Sequence, residues 1–278
     1  MRSEADTLRT LALEVTPEDR RETLIGLLTG LDTGGAEWLD THFASLPRRV
    51  GRQLIPTGVH TIGRHTVNLG RYRICDAAAA AMLSGATPSA GDDFLERLYQ
   101  QGDAEERRMI LSALPFCNAG ASGSRLLVEA HRSNDEVIFA TGLLDSDFPA
   151  LVLEDEDYAN VVLKAAFLDV APERLYGVAS RATVRLSRML LDFMAEREAA
   201  GRPLWPGSLE IACFAPCPGV VSRIAGDLWH GGDRRRLAAA RAATVLPRPA
   251  IVDSARERVD VEAVPAIRAM LSDLLASP

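Results

Sequence analysis

Apolar residues along this chain recur mostly at spacings of three and four, and that periodicity predicts helices almost throughout. Helices are expected at 4–15 and 18–30, divided by Thr16-Pro17, a capping residue followed by a proline suited to a first helical turn. Gly30 and the Gly34-Gly35 pair are expected to end the second helix, and 36–46 to continue as a third. Pro47 opens PRRVGR, in which Arg48, Arg49 and Arg52 read as a solvated loop. Alternation appears only at 53–71, where Val59, Thr61, His65, Val67 and Leu69 predict a small hairpin or an extended loop. His60 and His65 lack a companion acid at metal-binding spacing, so both are expected to face solvent.

Helical spacing resumes at 72–84, 92–101, 103–113, 123–132 and 134–145, with Ser133 and Glu136 at capping-box separation. A central pair follows at 155–168 and 180–200, closed by Gly201 and Pro203. Further helices are expected at 217–230, 233–246 and 259–275, the last preceded by LPRPA as a linker. From position 92 onward the helical hairpins recur about every 35–45 residues, the spacing of HEAT-like repeats. The expected fold is all-α, an irregular helical-hairpin stack or HEAT-like α-solenoid. A single domain over 1–278 is expected, with N-terminal helices at 1–50, the stack at 72–246 and a capping helix at 247–278.

Composition narrows the possible partners. The chain has 278 residues, is 47% hydrophobic and carries a net charge of −7, which disfavours non-specific attraction to nucleic acid. The N-terminus lacks a signal-peptide pattern and no apolar run reaches the ~20 residues of a bilayer span, so a cytoplasmic location without membrane insertion is expected. Cys213 and Cys217 form CFAPC, which is neither a redox pair nor a zinc hairpin; with Cys75 and Cys117 they read as structural thiols.

Three constellations bear on chemistry. Asp92, Asp93 and Glu96 could gather Mg²⁺ against a diphosphate, but a helix start with acids in its first turn explains them better. Asn160 and Lys164 are four apart and share a helix face, and Arg197 continues the apolar stripe of the next helix. Lys164 is the only lysine among 31 basic residues. A desolvated lysine can act as a base or an imine-forming amine, and a charged one can hold an anion with help from Asn and Arg. The same residues also fit structural pairs: Lys164 with Asp157 or Asp192, and Arg197 with a loop carbonyl. Finally, His131 and Asn134 stand at a helix junction from which they could face the Lys164 cavity. No GxSxG, HExxH, P-loop or GxGxxG is present, so neither a familiar nucleotide site, a cofactor nor a metal centre is indicated.

Several of these stretches resemble the EboA family, a bacterial group encoded beside a prenyltransferase and sugar-type enzymes in metabolite-production clusters. HRSNDEVIFATGLLDSDFP, DEDYANVVLKAAF and RMLLDFMAEREAAGRPLWP carry the resemblance, with weaker similarity at 47–51 and 98–116. The family pattern marks Asn134, Asn160, Lys164, Glu196, Arg197, Gly201 and Arg202. The chain departs from it at Asp145-Ser146-Asp147, at Tyr158-Ala159, at Thr183-Val184 and at Glu198. Residues beyond about 246 have no counterpart in it. The resemblance implies metabolite traffic in a specialised-metabolite pathway. The expected function is binding, or transforming, a small anionic or polyol-derived intermediate. Lys164 would be the reactive group, and Asn160, Arg197, Asn134, His131 and Glu196 the binding residues. One alternative is an enzyme acting on an isoprenoid- or sugar-derived substrate with Lys164 as base. Another is a ligand-free scaffold for a membrane prenyltransferase or other proteins of the same gene cluster.

Overall fold

The computed structural model describes residues 4–90 and 93–276, with backbone alone at 87–90. The chain is an all-α helical stack with one small β-hairpin among the described residues. It divides into two compact units, the first holding 1–154 and 174–176, the second 155–173 and 177–278.

In the first unit the helices are α1 (Glu4–Val15), α2 (Glu18–His42), α3 (Leu46–Arg49), α4 (Ile74–Ala90), α5 (Phe94–Gln101), α6 (Ala104–Ala113), α7 (Gly120–Arg132), α8 (Glu136–Leu143) and α9 (Phe148–Val152). The alanine run of α4 is buried on every side from Cys75 to Leu83, which makes this helix the centre of the unit. α2 runs past Gly30, and its break comes at Gly35, whose φ of 54° is open only to a residue without Cβ strain. Asp103 and Glu106 form a capping box at the start of α6. The expected box of Ser133 with Glu136 is replaced. Asp135 caps α8, accepting from the Val137 and Ile138 amides at 2.8 and 3.3 Å, while Ser133 Oγ accepts from the Asp135 amide.

β1 (Val59–Ile62) and β2 (His65–Asn68) pair antiparallel inside the stretch where alternation predicted them. His65 corrects the solvent-facing expectation. It is 2% exposed, and its Nδ1 lies 3.2 Å from Asp147, whose other oxygen accepts from the Thr66 amide at 2.9 Å. Asp145-Ser146-Asp147 thus acts as a strap along β2, and Arg174 secures it through the Asp145 carboxylate at 2.9 Å.

The second unit comprises α10 (Asp155–Phe167), α11 (Val178–Arg181), α12 (Val184–Ala199), α13 (Ser208–Phe214), α14 (Val220–Asp227), α15 (Asp233–Val245), α16 (Pro249–Val259) and α17 (Pro265–Ala276). Ala239, Ala240, Ala242 and Ala243 of α15 are fully buried, so neighbouring helices can approach its backbone closely in the unit's core. LPRPA is not a linker here: Pro249 occupies the first turn of α16, where its missing N–H costs nothing. α16 starts within that stretch and ends at Val259, and the helix expected from 259 begins only at Pro265, after a break at 260–264.

That break places Glu262, fully buried, among cations. It accepts from Arg236 at 2.8 and 3.0 Å, from Arg258 at 2.9 and 3.0 Å, and from the Val264 amide at 2.9 Å. Arg236, first among these donors, holds the Glu262 carboxyl at about 2, below the ordinary 4.5. A carboxylate depressed in the folded state contributes stability above its unfolded value and loses it as pH falls toward the folded one. Thermal stability is therefore expected to drop as pH falls from about 4.5 to about 2. Glu262→Gln is expected to flatten that drop and to cost about 3 kcal/mol at neutral pH. Calorimetry across the acid range checks both outcomes.

The four cysteines are unbridged and buried, Cys75 and Cys117 in the first unit, Cys213 and Cys217 in the second. Burial pushes the thiols of Cys75 and Cys213 up to about 12. None of the described helices is long and apolar enough to cross a membrane.

Candidate functional site

α10 and α12 carry the second unit's side of the expected site. α10 buries Tyr158, Ala159, Val161, Val162, Ala165 and Ala166, and turns Leu163 and Lys164 to a half-buried flank. α12 begins at Thr183, whose hydroxyl accepts from the Leu186 amide at 3.1 Å, and buries Leu186, Leu190, Met194 and Arg197. The neighbouring face, one step round the helix, presents Met189, Asp192, Phe193 and Glu196 at spacings of three and four.

Those two flanks meet as a cleft of about 550 Å³, lined by Leu163, Lys164, Phe167, Met189, Asp192, Phe193 and Glu196. Its walls are apolar and its polar groups are one amine and two carboxylates. Phe167 is 66% exposed at this cleft, unusual for a phenylalanine on a helix whose other apolar positions are mostly buried. Desolvation lowers the proton affinity of the Lys164 amine.

Lys164 and Glu196 both line this cleft, whereas Asn160 and Arg197 of the same unit do not. Asn160 is half-buried one turn earlier and lies outside the cleft lining. His131 and Asn134 belong to the first unit, where His131 packs against Phe139 at 6.5 Å and Asn134 is exposed. Arg197 does not share the cleft with Lys164. Its Nε donates to the Pro203 carbonyl at 2.5 Å, and its terminal nitrogen lies 3.1 Å from Asp169. Its guanidinium stacks 5.5 Å from the centre of Phe193, so it acts on the cleft only by fixing one wall.

Asp169 is a residue that the periodicity gave no reason to single out. It ends α10 in the left-handed conformation, with φ of 52°, a position that aspartate tolerates better than most side chains. The amides of Leu168 and Val170 close the helix end on the Lys164 and Ala165 carbonyls, both at 2.9 Å. α12 ends in the same way, with Gly201 at φ of 63°. Trp205, 1% exposed, donates to the Val170 carbonyl at 2.6 Å.

Asp93 is exposed at the N-cap of α5 and makes no side-chain capping bond, while Glu96 pairs with Arg125 at 2.9 Å. Asp92 lies outside the described residues. Among those residues no group of three His, Cys, Asp or Glu side chains is placed to hold a metal ion.

Residues 36–210 match the family described as Metabolite traffic protein EboA, well over half of the chain. The chain belongs to the EboA family. No curated protein and no solved structure matches it. Within the EboA match fall both helices of the Lys164 cleft, with Asp169, Arg197 and Gly201. α14 to α17 lie beyond it.

Arg197→Met is expected to lower stability by about 2 kcal/mol, through loss of two charged hydrogen bonds in a buried setting. Arg197→Lys should recover less than half of that, because an ammonium cannot fork between Asp169 and the Pro203 carbonyl. Urea unfolding of the three proteins measures the difference.

Proposed function

We propose that this EboA-family chain binds a small polyol-derived metabolite in the cleft headed by Lys164. The observation that carries the reading is the cleft's lining, which gathers the chain's only lysine, the carboxylates of Asp192 and Glu196 and the rings of Phe167 and Phe193. Carboxylates accept hydrogen bonds from hydroxyl groups, an ammonium donates to them, and aromatic faces cover the C–H side of a ring. One cation against two carboxylates disfavours a strongly anionic ligand here. The polyol half of the sequence expectation therefore suits this cleft better than the anionic half.

In this reading Lys164 and Glu196 contact ligand, and Arg197 positions Phe193. Asn160, Asn134 and His131 take no part. A second reading, an enzyme that uses Lys164 as base or imine-forming amine, is favoured by the lowered proton affinity of that amine.

The test is native mass spectrometry of protein from its own host, with saturation-transfer NMR against a panel of cyclic and acyclic polyols. Lys164→Met is expected to change stability by no more than about 0.5 kcal/mol, as for a half-exposed substitution, and to abolish retention or polyol contact. Retention unchanged in a normally stable Lys164→Met protein would overturn the reading and leave the scaffold alternative standing. Borohydride trapping of a carbonyl compound on Lys164 would favour the enzyme.

A further inference from the structure

The second unit holds another recess, on a different face of α12, that the Lys164 reading does not use. Met194 and Glu198 point into it, whereas Asp192 and Glu196 face the Lys164 cleft. Residues two apart on a helix are turned by about 200°. The recess has a volume of about 480 Å³ and lies between α12, the 202–206 loop, α13 and α15. Its floor is apolar, from Met194, Leu204, Trp205, Leu209 and Leu237.

The charge around that floor is unbalanced. The two acids of the lining, Glu198 and Asp227, are already matched by two arginines. Arg235 reaches them at 2.6 and 2.8 Å, and Arg223 at 3.1 and 2.7 Å. Arg202, Arg234 and Arg241 also line the recess, and among the described residues no carboxylate pairs with them. Three uncompensated guanidinium groups thus gather at one opening of a chain whose net charge is −7. A second observation points into the same space. Ser208 lines the recess at 1% exposure, and its hydroxyl has no hydrogen-bond partner in the protein. A buried hydroxyl without a partner is unfavourable, and an oxygen of a bound ligand would supply the missing hydrogen bond.

We propose that this recess is a second ligand site, for an amphiphilic anion: a phosphate or carboxylate head carried on a compact apolar body. The arginines at the rim take the head group, Ser208 donates to one of its oxygens, and the floor beside Trp205 buries the body. The site is independent of the polyol reading, because it shares no lining residue with the Lys164 cleft. Its wall combines residues inside the family match with α14 and α15 residues beyond it.

The probe is octyl phosphate, titrated calorimetrically into the full chain and followed in parallel by tryptophan fluorescence, with octanol and inorganic phosphate as separate arms. Octyl phosphate is expected to bind at least about tenfold more tightly than either half alone. Arg202→Gln combined with Arg241→Gln should weaken it about tenfold or more, since both side chains are exposed and their loss leaves the core intact. Ser208→Ala should weaken it several-fold, and Lys164→Met should leave it unchanged. Equal binding by the double variant overturns the proposal, as does octanol or inorganic phosphate binding as tightly as octyl phosphate. No measurable binding of octyl phosphate overturns it too.

Discussion

The second unit depends on one guanidinium. α10 and α12 each stop in a left-handed residue, Asp169 and Gly201, and each stop exposes carbonyls that the helix itself cannot satisfy. Arg197 sits between these ends and binds both, through the Asp169 carboxylate and the Pro203 carbonyl. The indole of Trp205 adds a third tie to Val170. Because the planar fork fixes direction as well as distance, the two helices are set at their C-terminal ends. Everything built on their flanks inherits that register, including the ring of Phe193 on which the same guanidinium lies.

α12 then works as a partition. Its buried stripe, Leu186, Leu190, Met194 and Arg197, anchors it. On one side of that stripe Asp192 and Glu196 close the lysine cleft, and on the other Glu198 closes the arginine recess, with Met194 of the stripe at its floor. The two spaces differ in charge, the first carrying an excess of carboxylate and the second an excess of guanidinium. A family described by metabolite traffic is here represented by a helix that separates two unlike environments.

Helical periodicity made most of this architecture legible. The spans of α1 and α10 follow the apolar spacing closely, and the hairpin lies where the alternation placed it. Failures came where two local signals competed. Ser133 and Asp135 are both good caps, and which one serves depends on where α7 ends. Val259, Val261 and Val264 keep an apolar rhythm across a break that Pro265, the first residue of α17, marks in the sequence. His65 looked solvent-facing because its acid, Asp147, is 82 positions away. In the site, the shared face of Asn160 and Lys164 was visible, but lining a cleft was not. For Arg197 the pairing with a loop carbonyl was legible and is found at Pro203, but its second partner, Asp169, was not, because sequence does not announce that backbone conformation. The arginine recess joins a loop to a helix about thirty positions later, and no short-range pattern records such a pairing.

The buried cysteines have a consequence for how the chain opens. A thiol reacts with an alkylating reagent only when solvent reaches it, and all four are buried; burial also disfavours the thiolate at Cys75, Cys117 and Cys213. Each compact unit contains two, so modification in one half requires that half to unfold at least locally. Peptide-resolved alkylation rates would therefore report two clocks, one at Cys75 and Cys117 and one at Cys213 and Cys217. If the two run at the same rate, the units open together; if one runs ahead, the halves are separate cooperative folding units.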